Sequence, residues 1–188
     1  MRAPRPAAFF DRDGTLIVDA DYLSDPDGVT LIPGAPESIR AARDAGWLTV
    51  VVTNQSGIGR GLYSESDYRA VDRRFQALLA AEGATLDAVL HCPHHPSFTG
   101  VCDCRKPAPG MLLEAARRLG IDLARSVVVG DKRSDLEAGL AVGAAPILVR
   151  TGYGAATEAG GDLPAGTRVI DSVRELPAEP GFGSAPPR

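Results

Sequence analysis

The sequence predicts an α/β fold, a three-layer α/β/α sandwich around a mostly parallel sheet, on three observations. Short apolar runs alternate with helical patterns along most of the chain, the rhythm of βα units. The run "WLTVVVTN" (47–54) is continuous and β-branched, as a strand buried on both faces is. Three runs end in polar residues: Asp11 with Asp13, Thr53 with Asn54, and Gly130 with Asp131. In a parallel sheet all three fall at the carboxyl edge, where ligands of such sheets bind.

The elements follow in order. "AAFFD" (7–11) reads as the first strand. "PESIRAARDAG" (36–46) reads as a helix stopped by Gly46, and 47–54 as the second strand. "SESDYRAVDRRFQALLAAEG" (64–83) is a longer helix, capped by Ser64, with Tyr68, Val71, Phe75, Leu78 and Leu79 on one face. "LDAVLHC" (86–92) is a third strand, and "PGMLLEAARRLG" (109–120) a helix with Pro109 at its start and Gly120 past its end. "SVVVGD" (126–131), the helix "RSDLEAGLAVGA" (133–144), "PILVRTG" (146–152) and a short sixth strand "TRVID" (167–171) complete the pattern. The stretches 14–34 and "PSFTGVCDCRKPAP" read as irregular, the first long for a βα connection.

A chain of 188 residues suits one core, so one domain over 1–176 is expected, with the Pro- and Gly-rich tail 177–188 disordered. Hydrophobic residues make up 44%, and the net charge of −4 gives no footprint for nucleic acid or an anionic membrane. No apolar run approaches a membrane span, and the basic N-terminus is followed by too short an apolar stretch for a signal peptide. A cytoplasmic monomer is expected. "SGIGRG" places Gly57, Gly59 and Gly61 after the second strand without the G-x-G-x-x-G spacing, which disfavours a dinucleotide site.

Two clusters carry chemistry. Asp11 and Asp13 alternate along extended backbone and so project together, and Gly14 permits a sharp turn behind them. Paired carboxylates serve as metal ligands or as a nucleophile with an acid/base, and a divalent cation relieves their repulsion. The three cysteines form the second cluster. Cys92 with His94, and Cys102 with Cys104, each repeat at a spacing of two, so each pair faces one way. Three thiolates and one imidazole make a closed, structural tetrahedral Zn²⁺ site. His95 faces away from Cys92, and His91 ends its strand. A zinc-stabilised interaction module is the non-enzymatic alternative, but it has no use for Asp11, Asp13, Thr53, Lys106 and Asp131 together.

With "DRDGT", "VVTNQ", "CRKP" and "VVGDKRSD" in this order, the sequence resembles the haloacid dehalogenase superfamily of phosphotransferases over nearly its whole length. The resemblance implies a Rossmann-like domain without a large cap domain, since no insertion is long enough for one. It implies that Asp11 attacks phosphorus and that Asp13 protonates the leaving alkoxide and then activates water. Mg²⁺ is then held by Asp11, the backbone carbonyl of Asp13, and Asp131. Thr53 and Lys106 stabilise the phosphoryl group, and Asp135 reaches either the waters of the metal or Lys106.

The C-x-H…C-x-C loop narrows the resemblance to D-glycero-D-manno-heptose 1,7-bisphosphate phosphatases and histidinol-phosphate phosphatases. "TNQSGIGRG", "CPHHP", "CDCRKPAPGML", Lys132 in "GDK", and "VRTG" are similar to the heptose group, although the metal loop is shorter than in many of its members. The implied substrate is a small phosphosugar with phosphates at C1 and C7. Asp19, Ala20, Asp21 and Tyr22, together with Thr53, Asn54, Gln55 and Ser56, are expected to line its pocket. Arg105 and Lys132 are expected to add anion contacts, as is Arg60.

Overall fold

The computed structural model describes residues 3–179 and 182 of the chain. Six strands form one sheet in the order β3-β2-β1-β4-β5-β6: β1 (Ala7–Phe10), β2 (Leu48–Asn54), β3 (Ala88–Cys92), β4 (Val127–Gly130), β5 (Ala145–Val149) and β6 (Arg168–Ile170). Every neighbouring pair is parallel, so the sheet is wholly rather than mostly parallel among the described residues. The helices are α1 (Ala35–Asp44), α2 (Ser56–Gly59), α3 (Glu65–Ala81), α4 (Pro96–Thr99), α5 (Gly110–Leu119), α6 (Arg133–Leu140) and α7 (Gly154–Ala159).

The chain runs outward from β1 through β2 to β3, then returns to the other side of β1 for β4 to β6. This reversal opens a crevice at the carboxyl ends of β1 and β4. Both faces of the sheet are covered, which is why its strands are apolar throughout. Ala8 and Phe10 of β1 pack with Val51, Val129 and Ile147 against Ile39 of α1 and Val71, Phe75 and Leu79 of α3. Ala7 and Phe9 pack with Val50 and Val128 against Met111, Leu112 and Ala115 of α5 and Ala138 of α6. The period of two in β1 therefore sorts one strand into two cores. At the start of α3, the Asp67 N–H donates to Ser64 Oγ (3.1 Å), and the Ser64 N–H donates to Asp67 Oδ2 (2.8 Å). This reciprocal box fixes where the helix begins.

Several expectations shift. Helix α6 stops at Leu140 rather than 144, with Gly143 at φ 78°, a left-handed conformation that ends helices. The single helical turns α2 and α4 and the short α7 carry too little periodicity to be read from sequence. The irregular stretch 14–34 is pinned by the bridge Ile17↔Leu31 and by buried Leu16, Ile17, Val29 and Ile32. Val173–Ala178 forms a 3-10 helix, anchored where Ser38 Oγ donates to Val173 O at 2.6 Å, and it extends into residues 177 and 178 of the tail expected to be disordered. Phe182 is buried with its ring centroid 5.5 Å from that of Trp47. Residues 177–179 and Phe182 therefore depart from that expectation, while 180, 181 and 183–188 lie outside the described residues. No helix among the described residues is long and apolar enough to cross a membrane.

Candidate active site

Asp11 leaves the end of β1 with its N–H bonded to Val129 O at 2.9 Å, so the central strands aim it into the crevice. Lys106 arrives from the other side of β2. Its Nζ donates to Asp11 Oδ1 (2.8 Å) and Val52 O (2.7 Å) and pairs with Asp135 Oδ1 (2.7 Å), which uses all three ammonium donors. The Asn54 side chain clips the Lys106 backbone, accepting from its N–H (3.1 Å) and donating to its C=O (3.0 Å). Asp135 Oδ2 accepts the Lys132 N–H (3.0 Å) at the start of α6. Of the two roles that sequence left open for Asp135, the structure displays the contact with Lys106.

Burial sets the electrostatics. It pushes Asp11 up to about 7, with Lys106 opposing and Asp135, Asp131 and Asp13 adding to the rise. Burial also pushes Asp131 up to about 6, against the pull of Lys132 and the Tyr153 N–H. For Lys106 burial acts downward, but Asp11 and Asp135 outweigh it and hold the ammonium protonated.

Carboxylate oxygens of Asp11, Asp131 and Asp135 lie within 4.8 Å of one another. Asp131 Oδ2 accepts the Tyr153 N–H (2.8 Å), while its Oδ1 is buried without a partner. A Cβ on either Gly14 or Gly152 would lie 2.3 Å from Asp131 Oδ2, and both have positive φ (84° and 58°), so only glycine fits on either side of this carboxylate. Three buried acids with one orphaned oxygen are costly without compensating charge. This all-oxygen donor set fits a hard divalent cation such as Mg²⁺. The Asp13 carboxylate is not among the three, which leaves its backbone carbonyl as the expected contribution.

Asp13 is held elsewhere. Arg12 forks onto it, Nε to Oδ2 and Nη2 to Oδ1, both at 3.1 Å. Gln55 Nε2 donates to Asp13 Oδ2 and to Thr53 Oγ1, each at 2.8 Å, and Thr53 Oγ1 lies 3.4 Å from Asp13 Oδ2. Tyr63 Oη, which burial pushes up to about 12 and so keeps protonated, donates a hydrogen bond to Gln55 Oε1 (2.7 Å). Sequence reasoning missed Arg12 and Tyr63. Sequence carried no signal for Arg12, since a charged residue just past a strand end ordinarily reaches water.

A cavity of about 520 Å³ opens beside these groups, lined by the expected Asp13, Asp19, Asp21, Tyr22, Asn54, Gln55, Ser56, Arg105, Lys106 and Lys132 and, unforeseen, by Leu23, Tyr63, Pro107, Ser134 and Tyr153. Ala20 is exposed and Thr53 buried, and neither lines the cavity. Lys132 Nζ pairs with Asp19 Oδ2 (3.3 Å) and sits 4.5 Å from the Tyr153 ring centroid. Arg105 Nη1 donates to His94 O (3.2 Å), tying the cavity wall to the metal loop. Arg60, expected as an anion contact, donates to Tyr22 Oη and lies over the rings of Tyr22 (5.2 Å) and Phe98 (5.6 Å). It is not among the residues that line the cavity.

Cys92, His94, Cys102 and Cys104 gather as expected. Cys104 Sγ lies 3.0 Å from Cys92 Sγ, 3.4 Å from Cys102 Sγ and 3.3 Å from His94 Nδ1. Cys92 Sγ lies 3.6 Å from Cys102 Sγ and 3.7 Å from His94 Nδ1. Zn–S bonds near 2.3 Å imply tetrahedral S···S edges of about 3.8 Å, so these four atoms are close to the spacing a zinc ion requires. Burial, then the neighbouring thiols, pushes Cys92 up, while hydrogen bonds from Cys104 and the Arg105 backbone outweigh burial and bring Cys102 down to about 7.

A family model described as HAD-hydrolase-like matches residues 103–176. The D-glycero-beta-D-manno-heptose-1,7-bisphosphate 7-phosphatase of Vibrio cholerae is 43% identical over 179 residues, covering 92% of this chain and 95% of that protein. The protein of the same name from Yersinia pestis is 42% identical over 178 residues, covering 92% and 93%. Among solved structures, the D,D-heptose 1,7-bisphosphate phosphatase of B. bronchiseptica, complexed with magnesium and phosphate, is 40% identical, with a TM-score of 0.86 over 92% of this chain and 96% of that one. The corresponding enzyme from Burkholderia thailandensis is 37% identical, with a TM-score of 0.72 over 93% and 97%.

Proposed function

We propose a reaction for this chain from the premise that it belongs to the haloacid dehalogenase-like hydrolases, among the D-glycero-β-D-manno-heptose-1,7-bisphosphate 7-phosphatases. It is a phosphoric monoester hydrolase, and its reaction removes the C7 phosphate of a heptose 1,7-bisphosphate. The Asp11 carboxylate attacks phosphorus while the bond to the sugar oxygen breaks. Asp13 gives its proton to that oxygen as it leaves. Water then attacks phosphorus, Asp13 takes a proton from it, and the Asp11 carboxylate departs free, leaving inorganic phosphate. Splitting the displacement into two steps makes each easier.

Lys106 is the fixed positive charge beside the nucleophile, and Asp135 and Asn54 hold it there. Thr53 is assigned to the phosphoryl oxygens. Magnesium, held by Asp11, the Asp13 carbonyl and Asp131, supplies charge that neutralises the repulsion between carboxylate and phosphate. Arg105 and Lys132 stand on the cavity wall, where they can take the second phosphate while the first is cleaved. Asp19, Asp21, Tyr22, Asn54, Gln55 and Ser56 meet the sugar. Zinc on Cys92, His94, Cys102 and Cys104 stiffens the loop that carries Arg105 and Lys106. The protein works as a cytoplasmic monomer, which light scattering and cell fractionation check.

The observation that carries this reading is a buried Asp11 at the end of the central strand, 2.8 Å from Lys106 Nζ and beside the unpartnered oxygen of Asp131. The decisive experiment compares kcat/KM for both anomers of heptose 1,7-bisphosphate, histidinol phosphate and fructose 1,6-bisphosphate. A preference for the heptose substrate is expected. A preference for histidinol phosphate would overturn the substrate and leave the chemistry of Asp11 standing.

A further inference from the structure

Arg12 is the largest fully buried side chain among the described residues, 1% exposed. The reaction as written gives it no part. A guanidinium at that depth is expensive, and exchanging a buried ion pair for apolar groups is often neutral or stabilising. Nor is Arg12 fully satisfied. Its Nη1 has no partner, and neither do Tyr68 Oη and Asp72 Oδ1. The guanidinium carbon sits 5.4 Å from the Tyr68 ring centroid, and Tyr68 is itself wedged against His91 at 4.1 Å between centroids. The side chain is thus clamped by α3 with one nitrogen left unused, a poor arrangement for stability alone.

What the clamp achieves is directional. The two bonds from Arg12, to Oδ2 and Oδ1 of Asp13, fix the plane of that carboxylate as a fork-to-fork pair does. Gln55 and Thr53 approach Oδ2 from the other side, and Tyr63 fixes Gln55. Oδ2 therefore has three neighbours that donate or share a proton. Oδ1 has only Arg12 Nη2, so a lone pair remains free on the carboxylate that borders the cavity.

We propose that Arg12 is a positioning residue of the phosphatase reaction: it locks the Asp13 carboxylate so that Oδ1 gives the proton to the leaving sugar oxygen and then takes one from the attacking water. The inference rests on the reading of Asp11 as nucleophile and Asp13 as acid and base. The proton balance closes within the reaction. Oδ1–H breaks as the sugar O–H forms, and a water O–H breaks as Oδ1–H forms again. The Arg12 fork holds the Asp13 carboxylate in one plane through both transfers.

The test uses the magnesium- and zinc-loaded full chain, with Arg12→Met removing the fork and Arg12→Lys keeping the charge with a single point donor. On the heptose bisphosphate, kcat is expected to fall about 100-fold in Arg12→Met and less in Arg12→Lys, with KM within about threefold of the parent, the range for loss of one acid–base function. Arg12→Met leaves the Asp13 carboxylate without its ion partner, so its melting temperature is expected to drop, while that of Arg12→Lys, which keeps the charge, is expected to stay near the parent. With p-nitrophenyl phosphate, whose leaving group needs no proton, a rapid burst of nitrophenolate is expected to survive while the steady rate drops, because only the water step still requires Asp13. Unchanged kcat would overturn the proposal. So would loss of the burst together with the steady rate, or collapse of the melting temperature in both variants, which would make Arg12 structural. A burst from Asp11→Asn would instead sink the covalent reading beneath it.

Discussion

The two clusters that fit metal ions are assembled in opposite ways. Asp11, Asp131 and Asp135 come from the ends of β1 and β4 and the first turn of α6, and are buried to 5% exposure or less. Asp131 and Asp135 share one short motif, but only the pairing of β1 with β4 brings Asp11 to them. Cys92, His94, Cys102 and Cys104 lie within one short loop, and three of the four are partly exposed. The first cluster is a product of the fold. The second, once loaded, dictates the shape of its own loop, since a structural zinc brings roughly 10–16 kcal/mol in small peptides, comparable to the stability of a whole domain. A carboxylate change should therefore stop chemistry and spare the fold, while a thiolate change should loosen the structure and reach chemistry only through Arg105 and Lys106.

The sharpest break in that contrast comes from Asp11→Asn. Turnover is expected to fall at least about 10⁴-fold, the scale for removing a catalytic nucleophile, with melting temperature and zinc content unchanged. Loss of the fold instead would erase the distinction. Cys104→Ser is expected to release zinc, measured by metal analysis, and to lower the melting temperature by about 10 °C or more, as a loss of several kcal/mol does. Activity should recover in part on saturating substrate, because Arg105 and Lys106 are displaced rather than absent. Next in size is pH. Asp11 near 7 and Asp131 near 6 must shed their protons before they ligate a cation. Both values are raised above the 3.8 of an unfolded carboxylate, so the metal-free fold loses stability as pH rises from about 4 to the folded values of about 6 and about 7, and metal binding offsets that penalty. Magnesium affinity, followed by calorimetry, is expected to weaken about tenfold from pH 7 to pH 6, and magnesium should raise the melting temperature more at pH 8 than at pH 6. Flat pH dependence would mean that the buried carboxylates are not the ligands. The smallest effect belongs to Lys132→Ala, expected to raise KM about tenfold with kcat nearly unchanged, since its contact serves the second phosphate.

How much of this was legible in sequence follows the same division. The thiolate loop was readable residue by residue, because spacing of two along extended backbone is local information. The strands were readable because burial on both faces leaves continuous apolar runs, and the polar tips of β1, β2 and β4 followed from topology. Asp135 could not be assigned between two roles, because its contact with Lys106 spans separate elements and depends on where α6 starts. The neighbours of Arg60 were not legible, because nothing in sequence indicates that Tyr22 and Phe98 flank it. Arg12 was passed over because a charged residue in a turn ordinarily faces water, and only the packing of α3 over β1 and β2 removes that option.

The hydroxyl of Thr151 donates to Gly14 O at 2.6 Å across 137 positions of chain, and the two glycines beside it close around Asp131. This seam has a temporal consequence during synthesis. The thiolate loop has all its ligands once residue 104 has left the ribosome, whereas the carboxylate pocket cannot be walled until Gly152 emerges. A nascent chain halted between those points would hold every ligand of its structural ion and yet lack the wall of the pocket that turns over substrate.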